Sequence, residues 1–268
     1  MRLSSALSAL ALLAGLAASA PAPAADLASH RAAYRLTLDS ARSASDVQGA
    51  QGAMYYEVTD LCEAWAVRQR FTLTVTSRSG SSYEMASDYV TWEAKDGSRL
   101  RFRLRQTTDG QVSQAVAGEA RRATPAEAGT IRYTEPDEEE IELVAGALFP
   151  MAHTAAVLAA GADGKRVFAV PVFDGTVTEG AQDTNAAITA RLEPGAANGS
   201  RWAPLAALPS FRMRIAFFET GSASGQPEYE VAMRYWANGV ADELKMDFGE
   251  FIVGGELSEL EMLPDQCN

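Results

Sequence analysis

The sequence has 268 residues, with 23 lysines and arginines against 35 aspartates and glutamates, a formal net charge of −12. That length suits one large all-β domain or two small ones. So acidic a chain is a poor partner for nucleic acid or for anionic membrane surfaces.

The first residues are MRLSSALSALALLAGLAASAPAPAAD. Arg2 gives a positive start, and the apolar stretch from Ala6 to Ala18 is too short to span a bilayer. Two A-x-A patterns follow, Ala18-Ser19-Ala20 and Ala22-Pro23-Ala24. This reads as a cleavable secretory signal over residues 1–24. Pro21 disfavours the first cut, so cleavage is expected after Ala24 or Ala25. The mature chain, 25–268, is taken as a single domain with no later transmembrane segment. Losing Arg2 changes the balance to 22 minus 35, or −13. Export implies an oxidising compartment, where a lone pair of cysteines is expected to form a disulfide.

A short helix is expected near Ala25–Ala32. Beyond it, period-two alternation dominates. YRLTLD sets Tyr34, Leu36 and Leu38 against Arg35, Thr37 and Asp39. RFTLTVTS and RLRFRLR repeat the pattern, as do FRMRIAF and YEVAMRYW near the end. Such alternation marks antiparallel strands with one buried face. Turn signals such as KDGSR, TTDGQ and ANGV separate them. About a dozen strands are predicted, in an up-and-down meander that curls into a spiral or broken barrel to hide its edges.

FPMAHTAAVLAAGADG breaks the alternation. Pro150 suits a first helical position and Gly161 a stop. The residues between are small and apolar all round, so a buried helix over about 150–160 is predicted on the concave side. The stretch Gly175–Ser210 is rich in small residues and is expected to hold the longest loop. The acidic run Pro136–Glu140 reads as a solvated edge rather than a Ca²⁺ site, because a strand would splay Glu138, Glu139 and Glu140 to alternate faces.

Chemistry-bearing constellations are few. There are two histidines, His30 and His153, without metal-ligand spacing around them, and each reads as a structural residue. No G-x-S-x-G elbow occurs, and the turn GSASG at 221–225 is not one. The two cysteines, Cys62 and Cys267, lack a C-x-x-C arrangement, which argues against a thiol nucleophile. No metal or cofactor is implied. The most organised polar feature is the row Arg99, Arg101, Arg103 and Arg105, at steps of about 6.8 Å on one strand face. It suits an anionic ligand, a glycan or an acidic partner, or an outer face paired with acids on neighbouring strands. Trp65, Trp92, Trp202 and Trp236 add an aromatic series. Trp65, Trp92 and Trp236 are the candidate lining of a concave apolar face that either holds a lipid-like ligand or is a filled core.

Four blocks carry a resemblance: SHRAAYRLTL, GAMYYEVTDLCEAWAVRQRF, LFPMAHTAAVLAAGADGKRVFAVPVFDG and GGELSELEMLPDQC. Together they resemble the envelope integrity protein B family of periplasmic alphaproteobacterial proteins, from about Leu27 to Cys267. The resemblance implies a spiral, broken-barrel antiparallel sheet and a disulfide between Cys62 and Cys267. It implies a periplasmic role in envelope integrity under envelope stress, and no catalytic residues. The expected function is therefore a non-enzymatic periplasmic protein that binds a protein partner or an envelope component. The alternatives are a carrier of a hydrophobic ligand and, more remotely, a hydrolase using His153 with a nearby acid.

Overall fold

The computed structural model describes residues 26–195, 200–221 and 225–267. The signal segment and its cleavage site lie outside them. Among the described residues are fourteen strands and one α-helix. The first half of the chain contributes β1 (His30–Ala41), β2 (Val47–Asp60), β3 (Ala64–Ser77), β4 (Ser82–Ala94), β5 (Arg99–Thr108), β6 (Gln111–Arg121), β7 (Gly129–Glu135) and β8 (Glu139–Leu143). The helix α1 (Pro150–Ala162) follows. The second half contributes β9 (Val167–Val172), β10 (Gln182–Leu192), β11 (Ser210–Phe218), β12 (Tyr229–Trp236), β13 (Ala241–Asp247) and β14 (Phe251–Met262).

All fourteen strands form one antiparallel sheet, ordered β8-β7-β6-β5-β4-β3-β2-β1-β14-β13-β12-β11-β10-β9. Each half is a meander of sequential neighbours. The halves meet where the first strand pairs with the last, from His30 opposite Met262 to Ala41 opposite Phe251. The edge strands β8 and β9 do not pair, so the barrel stays open. Leu148, just past β8, bridges the seam: its amide donates to Pro171 O at 2.8 Å and its carbonyl accepts from Phe173 at 2.9 Å.

The alternation seen in sequence sets the two faces. On β5, Leu100, Phe102 and Leu104 are buried while Arg101, Arg103 and Arg105 are exposed. The β5–β6 turn uses Asp109 and Gly110 at φ 49° and 75°, the left-handed pair that a tight hairpin needs. The inner faces form two apolar clusters. One spans β1–β3, β10–β14 and α1, and the other joins β5–β8 to Phe149 and Phe173.

The predicted helix is present and lies on the inner side. Tyr56 Oη meets Met151 Sδ at 3.9 Å, and Val157 and Leu158 are buried. Its stop is displaced. The helix runs to Ala162, and Gly164, at φ 76°, reverses the chain, with its amide donating to Gly161 O. Gly161 is instead a packing residue, since a Cβ there would sit 2.8 Å from Phe211 Cδ1.

One expectation is corrected. Residues 26–29 form no helix, and His30–Ala32 already belong to β1. That segment is held from both sides: Ser29 Oγ accepts from the Asp60 amide at 2.7 Å, and Ser29 O accepts from Leu263. Tertiary pairing overrides the helix-favouring alanines there. The stretch 175–210 does hold the longest connection between strands apart from the one that carries α1, from β10 to β11, and β10 also runs through it with Thr184, Ala186 and Ile188 buried.

Candidate functional site

Cys62 occupies the β2–β3 turn at φ 70°, its amide donating to Asp60 Oδ1 at 2.7 Å. The main chain therefore presents the thiol outward from a tight Asx turn. β14 lies beside β1, two strands from that turn, so the tail leaving Met262 passes close to it. Cys62 and Cys267 are bonded there, with Cα atoms 5.2 Å apart. Lys95 Nζ bonds the same Asp60 and lies 4.4 Å over the Trp65 ring. This corner joins β2, β3, β4 and the C-terminal tail.

The inner face carries α1 against the larger apolar cluster. Glu93 on β4 is 1% exposed, and its two carboxylate oxygens accept from the Met151 and Ala152 amides at 2.7 and 2.8 Å. It supplies the cap that Phe149, at the N-cap position, lacks. Burial pushes the Glu93 carboxyl up to about 7, against the pull of both amides and of Arg122. Arg122 is itself buried, donating to Gly97 O at 2.8 Å and Ala147 O at 2.6 Å, with its guanidinium 4.6 Å from the Phe149 ring. No local sequence pattern marked Glu93 or Arg122, because both act on residues brought in by long-range folding.

His153 is buried on α1, and burial lowers its imidazole to about 4. Its polar neighbour is Thr184 Oγ1 at 3.4 Å. No carboxylate pairs with it among the described residues. His30 is buried as well, its Nδ1 2.8 Å from Ala28 O. No group of three or more His, Cys, Asp or Glu side chains is placed to hold a metal ion among the described residues. No helix among them is long and apolar enough to cross a membrane.

The proposed aromatic lining is only partly assembled. Trp65 lies on the inner side, half-buried against the larger cluster. Trp92 does not: it is the cross-strand partner of Arg101, whose guanidinium lies 5.5 Å from its ring on the outer face. Trp236 is buried, but its register puts it beside Arg234, 4.7 Å from its ring, and opposite in facing to Tyr235, whose cross-strand partner Phe211 packs against Gly161 of α1. A strand turns successive side chains to opposite faces, so Trp92 and Trp236 cannot share the concave side with their inward neighbours. That side carries α1.

The arginine row does stand together on the outer face. Arg101 and Arg99 share Glu119 with Arg121, at 2.9 and 3.9 Å for the first two, and Arg103 pairs with Glu135 at 3.0 Å. Arg105 has no carboxylate partner within 4.0 Å among the described residues. Acids on β6 and β7 therefore meet three of the four arginines of the row, and Arg105 is the one without a carboxylate among the described residues. An outer cleft of about 520 Å³ lies under Arg201 and Trp202 and is lined by Arg234, Asp242, Glu243 and Lys245. There Arg234 and Asp242 form a buried two-pronged pair at 2.7 and 2.7 Å, which the sequence did not announce.

Comparisons with known proteins agree with the fold. A family model described as EipB-like matches residues 21–264. The chain is 26% identical over 255 residues to the cell envelope integrity protein EipB of Brucella abortus (strain 2308), covering 91% of this chain and 88% of that protein. A solved structure described as a beta-barrel-like protein of a domain of unknown function, also from Brucella abortus, superposes with a TM-score of 0.80 at 24% identity. It covers 90% of this chain and 100% of that one.

Proposed function

Since the chain belongs to the EipB-like family, we propose that it supports cell-envelope integrity from the periplasm as a binding protein, without catalysis, after removal of residues 1–24. The relative named for envelope integrity is matched over 91% of this chain, which supports the role. One structural observation favours binding through the outer surface: the inner face carries α1, while the outer face carries a row of arginines only partly matched by acids. A guanidinium left without a carboxylate is a ready donor to an anionic group. The partner is accordingly an anionic envelope component.

Deletion of the gene in its host tests the role. Loss of the protein should raise sensitivity to deoxycholate, and expression in trans should restore resistance. A deletion strain as resistant as its parent would sink this reading.

A further inference from the structure

On the outer face, β5, β6 and β7 enclose a depression of about 750 Å³. Its floor is small. Ala117 and Gly118 line it, and the β6–β7 register shifts between them. At Gly118 a Cβ would lie 2.2 Å from the Arg132 carbonyl oxygen, so only glycine fits this bulge. The outer-facing small residue is Ala117, opposite Arg103, and it leaves a dip among the long side chains of that face, while the missing side chain of Gly118 lies toward Phe102 inside. Four guanidinium groups rim the dip, from Arg101, Arg103, Arg121 and Arg132, with the hydroxyls of Thr130 and Thr134.

The charge there is not cancelled. Glu119 and Glu140 also line the depression, and Glu135 just outside its lining pairs with Arg103 at 3.0 Å, so the balance is four arginines minus three glutamates, or +1, on a chain of −12. Glu119 is already shared by Arg99, Arg101 and Arg121. Glu140 stands opposite Arg132 in register, yet Arg132 has no carboxylate within 4.0 Å among the described residues.

We propose that this depression binds a phosphate group of an envelope component. The proposal rests on the binding role argued above and names the chemistry of its ligand. A carboxylate has two oxygens and is satisfied by one guanidinium fork. A phosphate presents more acceptor oxygens and strong negative charge, and it uses several forks and hydroxyls together. The overall negative charge of the chain opposes unselective attraction to polyanions, so attachment is confined to this face. The phosphate is carried either by a lipid headgroup or by a soluble ester, and the test separates these sources.

Two probes are used with the purified, disulfide-intact protein. Glycerol phosphate is titrated calorimetrically, and cosedimentation is measured with phosphatidylcholine vesicles with and without phosphatidylglycerol. Binding to at least one phosphate probe is expected, weakening as salt rises from about 50 to about 300 mM. The double variant Arg103→Gln, Arg132→Gln should lose at least tenfold in affinity at an unchanged melting temperature. Arg212→Gln, an outer-face arginine on β11 paired with Glu243, should bind as the wild type does. Retention only by phosphatidylglycerol vesicles assigns the phosphate to a lipid, and binding of glycerol phosphate as well shows that the group alone suffices. The proposal is overturned if neither probe is bound, or if the double variant binds as tightly as the wild type. It is also overturned if a polyglutamate peptide is held and glycerol phosphate does not displace it. All of these are direct binding readouts, so a failed titration beside an intact deletion phenotype removes the phosphate site and leaves the envelope role standing.

Discussion

The carboxylate of Glu93 and the amide of Met151, 58 residues apart in sequence, meet at 2.7 Å inside the sheet. This contact ties the head of α1 to β4 and has a pH consequence. Burial raises Glu93 from 4.5 to about 7. Between those values the folded chain keeps a proton that the unfolded chain has released, so stability from this group falls as pH rises through the window. His153 acts oppositely. Burial lowers it from 6.5 to about 4, so its contribution grows as pH climbs from about 4 to 6.5. The two slopes offset each other in the wild type. Glu93→Gln removes the falling one. Across pH 4.5 to 7 its stability should therefore gain on the wild type by on the order of 3 kcal/mol, even if it starts lower for want of a full cap. Melting curves followed by circular dichroism at successive pH values measure this. Parallel profiles for variant and wild type would contradict it.

The Cys62–Cys267 bond reinforces the one strand pairing that joins the two halves of the sheet. It closes a loop of 205 residues, worth at most on the order of 5 kcal/mol in the chain-entropy account. Cys62→Ser and Cys267→Ser should lower the melting temperature by similar amounts, and the double variant should be no worse than either. Additive losses would mean that the two sulfurs act separately.

Gly161→Ala sets two effects against each other. Alanine gains about 1 kcal/mol in helix propensity over glycine. Its Cβ, however, would press 2.8 Å from Phe211 Cδ1, on a ring that is 1% exposed and has little room to move. Overpacking of this kind costs about 1–3 kcal/mol, so the variant should be less stable despite its better helix former. A denaturation midpoint at or above the wild-type value would show that Phe211 yields.

Arg234 and Asp242 form a pair whose side chains are 8% and 10% exposed. Asp242→Ala leaves the buried guanidinium of Arg234 with the longer contact to Glu243, at 3.3 Å, and should cost about 1–3 kcal/mol, whereas replacing both residues by Met and Leu should recover most of that loss. Urea unfolding of the three variants decides. A double replacement as unstable as Asp242→Ala would show that the two side chains do more than balance each other.

Much of the architecture was legible in the chain. The alternation through Leu100, Phe102 and Leu104 marks a strand with one buried face, and each such run became one. The helix at Pro150 was legible because its composition breaks the period. What escaped depends on partners distant in sequence. β10 hides behind alanines such as Ala186 and Ala187, which carry little strand signal, and it exists because β9 and β11 pair with it. Trp92 and Trp236 read as concave because aromatic residues in a meander suggest an interior. Their facing is decided by parity against Arg101 and Tyr235, which needs the register. Gly161 looked like a stop and is a packing contact, and nothing near Glu93 announced that it would cap a helix. The arginine row was visible, but the dip at Ala117 and the unpaired Arg132 belong to the β6–β7 register.

Rescue of the deletion strain by Arg99→Gln, Arg101→Gln, Arg103→Gln, Arg105→Gln, expressed at wild-type level, tests whether this protein serves the envelope through its outer arginine face. These side chains are largely exposed and their ion pairs contribute little to folding, so the melting temperature should stay close to that of the wild type. The variant should fold and fail to restore deoxycholate resistance. Full restoration by the quadruple variant would contradict that role.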